Sequence, residues 1–132
     1  MNAPTEKPRV LVIDDDETVQ HVLREALKEK YTLGAIGSCV GLPETLDEFN
    51  PHLIILDVGL PWLDGFELCR DLRQHPRHRR KPILFLSAFS SEEDIAQGLA
   101  SGGNDYLTKP FDVPELRERV ERLIHASGSA QP

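Results

Sequence analysis

The amino-acid sequence predicts a doubly wound α/β fold, a parallel sheet with helices packed on both faces. Three short runs, Val10-Leu-Val-Ile13, Leu53-Ile-Ile-Leu56 and Ile83-Leu-Phe-Leu86, are apolar at every position rather than at alternate ones. That is the pattern of strands buried on both sides. One-sided helical stripes lie between them, and strands alternating with helices give right-handed crossovers that cover both faces. The chain has 132 residues, enough for one domain with a core that folds without staples.

The elements follow in order. After the first run, Val19, Val22, Leu23, Ala26 and Leu27 keep the i, i+3, i+4, i+7, i+8 spacing of an amphipathic helix. A weaker strand fits Tyr31 to Ile36, followed by the short stripe Leu42, Leu46 and Phe49, with Pro43 acceptable only in a first turn. The second apolar run leads through Gly65 into the stripe Phe66, Cys69 and Leu72, and the third into Ile95, Ala96, Leu99 and Ala100. Ser90-x-x-Glu93 reads as the capping box of that helix. Gly98, Gly102 and Gly103 weaken it by propensity and suggest a mobile face. A last weak strand, Asp105 to Thr108, precedes the stripe Val113, Leu116, Val120, Leu123 and Ile124, opened by Asp112-x-x-Glu115. The expected domain spans 9–125, with 1–8 a loose tail and 126–132 a tail or linker stub.

Composition excludes several classes. Of the residues, 39% are apolar and 28% charged, an ordinary soluble profile. Fifteen Lys+Arg against twenty-two Asp+Glu leave −7, which disfavours direct binding to nucleic acid phosphates. No apolar run approaches the ~20 residues of a membrane span, and Met1 to Pro8 lack a signal segment. Cys39 and Cys69 match neither a CxxC nor a zinc pattern, which favours a reduced, cytoplasmic setting. The segment Arg70 to Lys81 carries +5, with His75 and His78 inside it. It reads as a solvated helix end and loop, neither histidine having a second ligand at metal-binding spacing. The other reading is a docking patch for an acidic partner or RNA.

In an open α/β sheet, ligands bind beyond the carboxyl ends of the strands. The first strand delivers Asp14, Asp15 and Asp16 there, the third Asp57, the fourth Ser87 and the fifth Lys109, followed by Pro110. Several carboxylates at one edge repel one another unless a cation sits among them, and Mg²⁺, a hard ion content with carboxylates and water, suits that need. Alternatively the Asp run decorates the N-terminus of the first helix, where negative charge is stabilising.

Val10-Leu-Val-Ile-Asp-Asp15, Asp57-Val-Gly-Leu-Pro-Trp-Leu-Asp-Gly65, Leu86-Ser-Ala88 and Tyr106-Leu-Thr-Lys-Pro-Phe111 together resemble the receiver domain of bacterial two-component response regulators, over residues 8 to 125. The resemblance implies a flavodoxin-like (βα)5 sheet of order 2-1-3-4-5. It implies that Asp57 accepts a phosphoryl group from a histidine kinase or phosphotransfer protein, and that Asp14, Asp15, Asp57 and the backbone carbonyl of Gly59 hold Mg²⁺. Lys109 then contacts the phosphate as a point charge, and the resemblance implies a cis Lys109–Pro110 bond. Ser87 and Tyr106 form the switch: the hydroxyl moves to the phosphoryl oxygen and the ring turns inward. The output is a changed face around the fourth helix, fifth strand and fifth helix, used by an effector, a missing output domain or a second copy. No helix-turn-helix and no enzymatic output segment is legible, so the expected role is a signalling switch rather than an enzyme.

The chain departs from the family pattern at Gly59, usually a larger residue, which opens the pocket to water, and at Phe89, which covers it. Both positions tune phosphoryl lifetime in the family. Trp62, in the loop after Asp57, reads as a partner contact or an incidental exposed ring. Two other functions stay open: a receiver-like module that binds without phosphorylation, and a metal-dependent phosphohydrolase. The latter would want a second carboxylate where Gly59 stands.

Overall fold

The computed structural model describes residues 6–38 and 40–129; Cys39, much of the N-terminal tail and the last three residues lie outside them. Five parallel strands form one sheet: β1 (Arg9–Ile13), β2 (Thr32–Ile36), β3 (Leu53–Leu56), β4 (Ile83–Ser87) and β5 (Asp105–Thr108). With the main-sheet strands alone so numbered, the order is 2-1-3-4-5, as the resemblance implied. The helices are α1 (Glu17–Leu27), α2 (Leu42–Phe49), α3 (Gly65–Gln74), α4 (Glu92–Ala100) and α5 (Val113–Ser129). α5 thus continues past the expected boundary at 125.

The all-apolar strands explain the layering. Alternate residues point to opposite faces, so the sheet divides the core in two. Leu11, Ile13, Ile54, Leu56, Ile83 and Phe85 pack with Leu42 and Leu46 of α2, Phe66, Cys69 and Leu72 of α3, and Ile95 of α4. Val10, Val12, Leu53, Ile55, Leu84, Leu86 and Leu107 pack with Leu23 and Leu27 of α1 and Leu116 and Val120 of α5. No helix among the described residues is long and apolar enough to cross a membrane.

Several local expectations change. The capping box of α4 lies one residue later than expected. Ser91, in extended conformation, accepts from the Asp94 amide at 3.0 Å, and its own amide donates to the Asp94 carboxylate at 3.3 Å. The sequence Ser90-Ser91-Glu92-Glu93-Asp94 permits either register. An unforeseen antiparallel hairpin pairs Gly59–Leu60 with Leu63–Asp64 and places Trp62 in its turn. Trp62 is neither loose nor fully exposed: its indole N–H donates to the Gly37 carbonyl at 3.1 Å, and the ring packs on the core.

Two of the glycines around α4 stand at points of close packing. A Cβ at Gly98 would lie 2.8 Å from the Tyr106 ring, and one at Gly103 would lie 2.5 Å from Phe85.

The basic segment is only partly solvated. Arg73 donates to the carbonyls of Gly102, Arg79 and Lys81 and to Asn104 Oδ1 at 2.7–3.1 Å. Lys81 Nζ donates to Asn50 Oδ1 and the Pro51 carbonyl, both at 2.7 Å. Arg73 thus ties α3 to the loop after it and to the turn after α4, and Lys81 ties that loop to the connection between α2 and β3. His78 is 1% exposed, against the expectation of a solvated ring.

Candidate functional site

Ladder hydrogen bonds continue one residue past three strands and fix the polar residues at the sheet edge. The Asp14 amide donates to the Ile36 carbonyl at 3.1 Å, the Asp57 amide to Ile13 at 3.0 Å, and the Lys109 amide to Ser87 at 2.8 Å. Three segments distant in sequence thereby converge. The Lys109–Pro110 bond is cis.

Asp14 and Asp57 are buried, Asp15 is exposed, and one carboxylate oxygen of each lies within 4.8 Å of the others. Lys109 Nζ bridges the two buried ones, 2.9 Å from Asp14 Oδ2 and 3.3 Å from Asp57 Oδ2. Asp14 Oδ1 accepts from the Asp16 amide at 2.9 Å, and Asp57 Oδ1 from the Gly59 amide at 3.3 Å. Burial holds the Asp14 carboxyl above its usual range, and the bond to Lys109 only partly offsets this. Burial pulls the Lys109 ammonium down, but the bond to Asp14 and the charge of Asp57 outweigh it, so the net shift is upward. Three carboxylates cluster beside one ammonium, which pairs with two of them, and the cluster is short of positive charge. A hard divalent cation with oxygen ligands fits such a donor set.

Asp16 stands apart from this cluster. It caps α1, its Oδ1 accepting from the amides of Thr18 at 2.8 Å and Val19 at 3.4 Å. The helix-decorating reading of the Asp run therefore holds for one residue of the three. Gln20 has no sequence signal: from α1 its Nε2 donates to the Asp14 carbonyl at 2.6 Å and anchors the acidic loop.

Ser87 is buried at the end of β4, and its Oγ accepts from the Phe89 amide at 3.1 Å, leaving the hydroxyl hydrogen free of that bond. Tyr106 is 6% exposed, with its ring already turned inward beside Phe85 at 5.7 Å between centroids. Its hydroxyl donates to the Phe89 carbonyl at 2.5 Å. The Phe89 ring stands over Gly59, and a Cβ there would meet it at 3.1 Å. The two departures thus complement each other: the ring fills the room that the missing side chain leaves.

The model of the response regulator receiver domain family matches residues 10–121. This chain belongs to that family. The receiver is 40% identical over 118 residues to the phosphate regulon transcriptional regulatory protein PhoB of Rhizobium meliloti, covering 89% of this chain and 52% of that protein. It is 37% identical over 123 residues to the DNA-binding dual master transcriptional regulator RpaA of Synechocystis, covering 89% of this chain and 49% of that one. Among solved structures it resembles a Francisella response regulator receiver domain, with a TM-score of 0.82 at 33% identity, covering 92% of this chain and 99% of that one. The receiver spans about half the length of these curated relatives. Its family is one of two-component signalling switches.

Proposed function

We propose that the receiver accepts a phosphoryl group on Asp57 from a phosphohistidine donor, either a histidine kinase or a phosphotransfer protein. The observation that carries this reading is the Lys109 ammonium shared between the buried carboxylates of Asp14 and Asp57. An Asp57 oxygen forms the new P–O bond while the donor's P–N bond breaks and its electron pair returns to the imidazole. Asp14, Asp15 and Asp57, with the Gly59 carbonyl, would hold Mg²⁺, which neutralises charge on the transferring group. Lys109 offers its ammonium to the phosphoryl oxygens as a point charge, and Ser87 offers its hydroxyl hydrogen.

Lys109 already bonds Asp14 and Asp57 before phosphorylation, so its contact to the phosphoryl group is an exchange, while the charge-assisted bond from Ser87, about 1.5–3 kcal/mol, is new. That is part of the about 5.5 kcal/mol that shifts a two-state population from 1:99 to 99:1, and it biases Ser87 and Tyr106 as a switch. The readout is the face of α4, β5 and α5, where Leu99 is exposed. A cytoplasmic effector, an adjoining output domain or a second copy reads it. Several relatives are named as transcriptional or DNA-binding regulators; here any such output belongs to a partner or adjoining domain.

The test is incubation with Mg²⁺ and acetyl phosphate, followed by intact mass and by Trp62 fluorescence with beryllofluoride. One phosphoryl adduct on wild type and none on Asp57→Ala is expected. No adduct together with unchanged fluorescence refutes the reading and leaves a module that binds without phosphorylation.

A further inference from the structure

We propose a second, unrelated metal site: Asp47 of α2 with His75 and His78, at and just beyond the end of α3, forms a cradle for a borderline divalent ion such as Zn²⁺. One donor atom of each residue lies within 4.8 Å of the others. Four ligands at about 2.0–2.1 Å around zinc stand about 3.4 Å apart, and Asp47 Oδ1 already lies 3.0 Å from His78 Nε2. Asp47 and His75 are exposed and His78 is buried, so the fixed ligand sits inside and the two adjustable ones at the surface. The sequence hides the site because its carboxylate comes from a helix 31 residues before His78.

His78 Nδ1 is the one buried side-chain polar atom without a hydrogen-bond partner among the described residues. With Nε2 on the ion, the neutral ring's proton sits on this Nδ1, so the metal bond has to outweigh a buried unpaired N–H. The neutral ring is the form that ligates metal. His75 stacks on it with 4.6 Å between ring centroids.

Three contacts oppose the ion and have to yield, the first being the hydrogen bond between His78 Nε2 and Asp47 Oδ1. Arg77 Nη1 is 3.6 Å from Asp47 Oδ1, and His75 Nδ1 accepts from the Arg77 amide at 3.1 Å. The ion pair is half-exposed, and pairs of that kind contribute little. Arg77 can release the carboxylate and keep its other bond, to the Asp47 carbonyl at 2.8 Å. Imidazole and carboxylate donors suit Zn²⁺, whereas Mg²⁺ prefers oxygen alone, so this site and the Asp57 cluster select different ions. An ion here would tie α2 to the loop after α3.

The test is Zn²⁺ titration of the untagged chain against a chromophoric chelator, in excess Mg²⁺, for wild type and four variants. Expected is one Zn²⁺ per chain with a raised melting temperature, unchanged in Asp57→Asn. Affinity falls by about tenfold or more in His75→Gln and in Asp47→Asn, both at exposed positions that preserve the fold, and rises in Arg77→Gln, which removes the competing cation. Zinc affinity that is unaltered by His75→Gln and Asp47→Asn, or that disappears in Asp57→Asn, overturns the proposal. So does binding too weak to compete with the chelator.

Discussion

Replacing Gly98 by alanine tests whether this glycine exists to let Tyr106 in. At an uncrowded helix position the change stabilises by about 1 kcal/mol. Here the new Cβ would stand 2.8 and 3.0 Å from Tyr106 Cδ2 and Cε2 and 3.2 Å from Phe85 Cδ2, where carbon contacts settle near about 3.5–4.0 Å. The ring would have to retreat by roughly 0.7 Å to reach that range. It has little freedom to do so: its hydroxyl is held on the Phe89 carbonyl and its neighbour is Phe85. Overpacking of that kind costs about 1–3 kcal/mol. Offset by the propensity gain, the net loss is about 1 kcal/mol, read as a lower urea midpoint at unchanged m-value. In a Tyr106→Ala background the crowding is gone and Gly98→Ala should stabilise, a coupling that a double-mutant cycle isolates. Stabilisation by Gly98→Ala in the wild-type background would refute the close-packing account and restore the view of α4 as merely loose.

Phe89→Ala uncovers the Gly59 side of Asp57. The aspartyl phosphate should hydrolyse at least about threefold faster, roughly 0.7 kcal/mol of barrier, measured as loss of the intact-mass adduct after donor removal; an unchanged lifetime removes Phe89 as the cover. Asp14→Asn relieves a cluster of three carboxylates around one ammonium. In chelator at neutral pH it should gain on the order of 1 kcal/mol, relief of the buried charge's desolvation outweighing the weakened Lys109 bond; a less stable variant would show that the ion pair dominates.

Lys81 has its pKa lowered to about 8 by burial, with Arg77 and Arg9 adding to it. The unfolded chain therefore binds the extra proton between about 8 and the ordinary 10.5, and this residue's contribution to stability rises with pH across that window. The difference between wild type and Lys81→Met, followed by denaturant midpoint, should shift toward wild type over the same window. A flat difference contradicts the shift.

Much of this was legible in the sequence because it depends on periodicity and on strand ends. All-apolar strands announce a sheet covered on both sides, and polar residues where Val10–Ile13, Leu53–Leu56 and Ile83–Leu86 stop mark the edge where Asp14, Asp57 and Ser87 meet. What escaped depends on contacts between distant segments. The indole of Trp62 found a carbonyl at Gly37, and Gln20 found the carbonyl of Asp14; neither bond has a local pattern. Arg73 and Lys81 looked solvated because charge is visible in a sequence while the carbonyls that bind it are not. Ser90 and Ser91 offered two equal capping registers, and only the backbone chose between them.

The hydrogen bond from Tyr106 to the Phe89 carbonyl has a consequence for timing. The same loop residue that stands over Gly59 also holds the ring buried under the α4–β5–α5 face, so on the proposed reading the clock and the message share one part. By thermodynamic reciprocity, a partner that favours the face formed over the inward Tyr106 also steadies the cover at Gly59. Each bound target would then lengthen the signal that recruited it, and an unclaimed receiver would reset soonest.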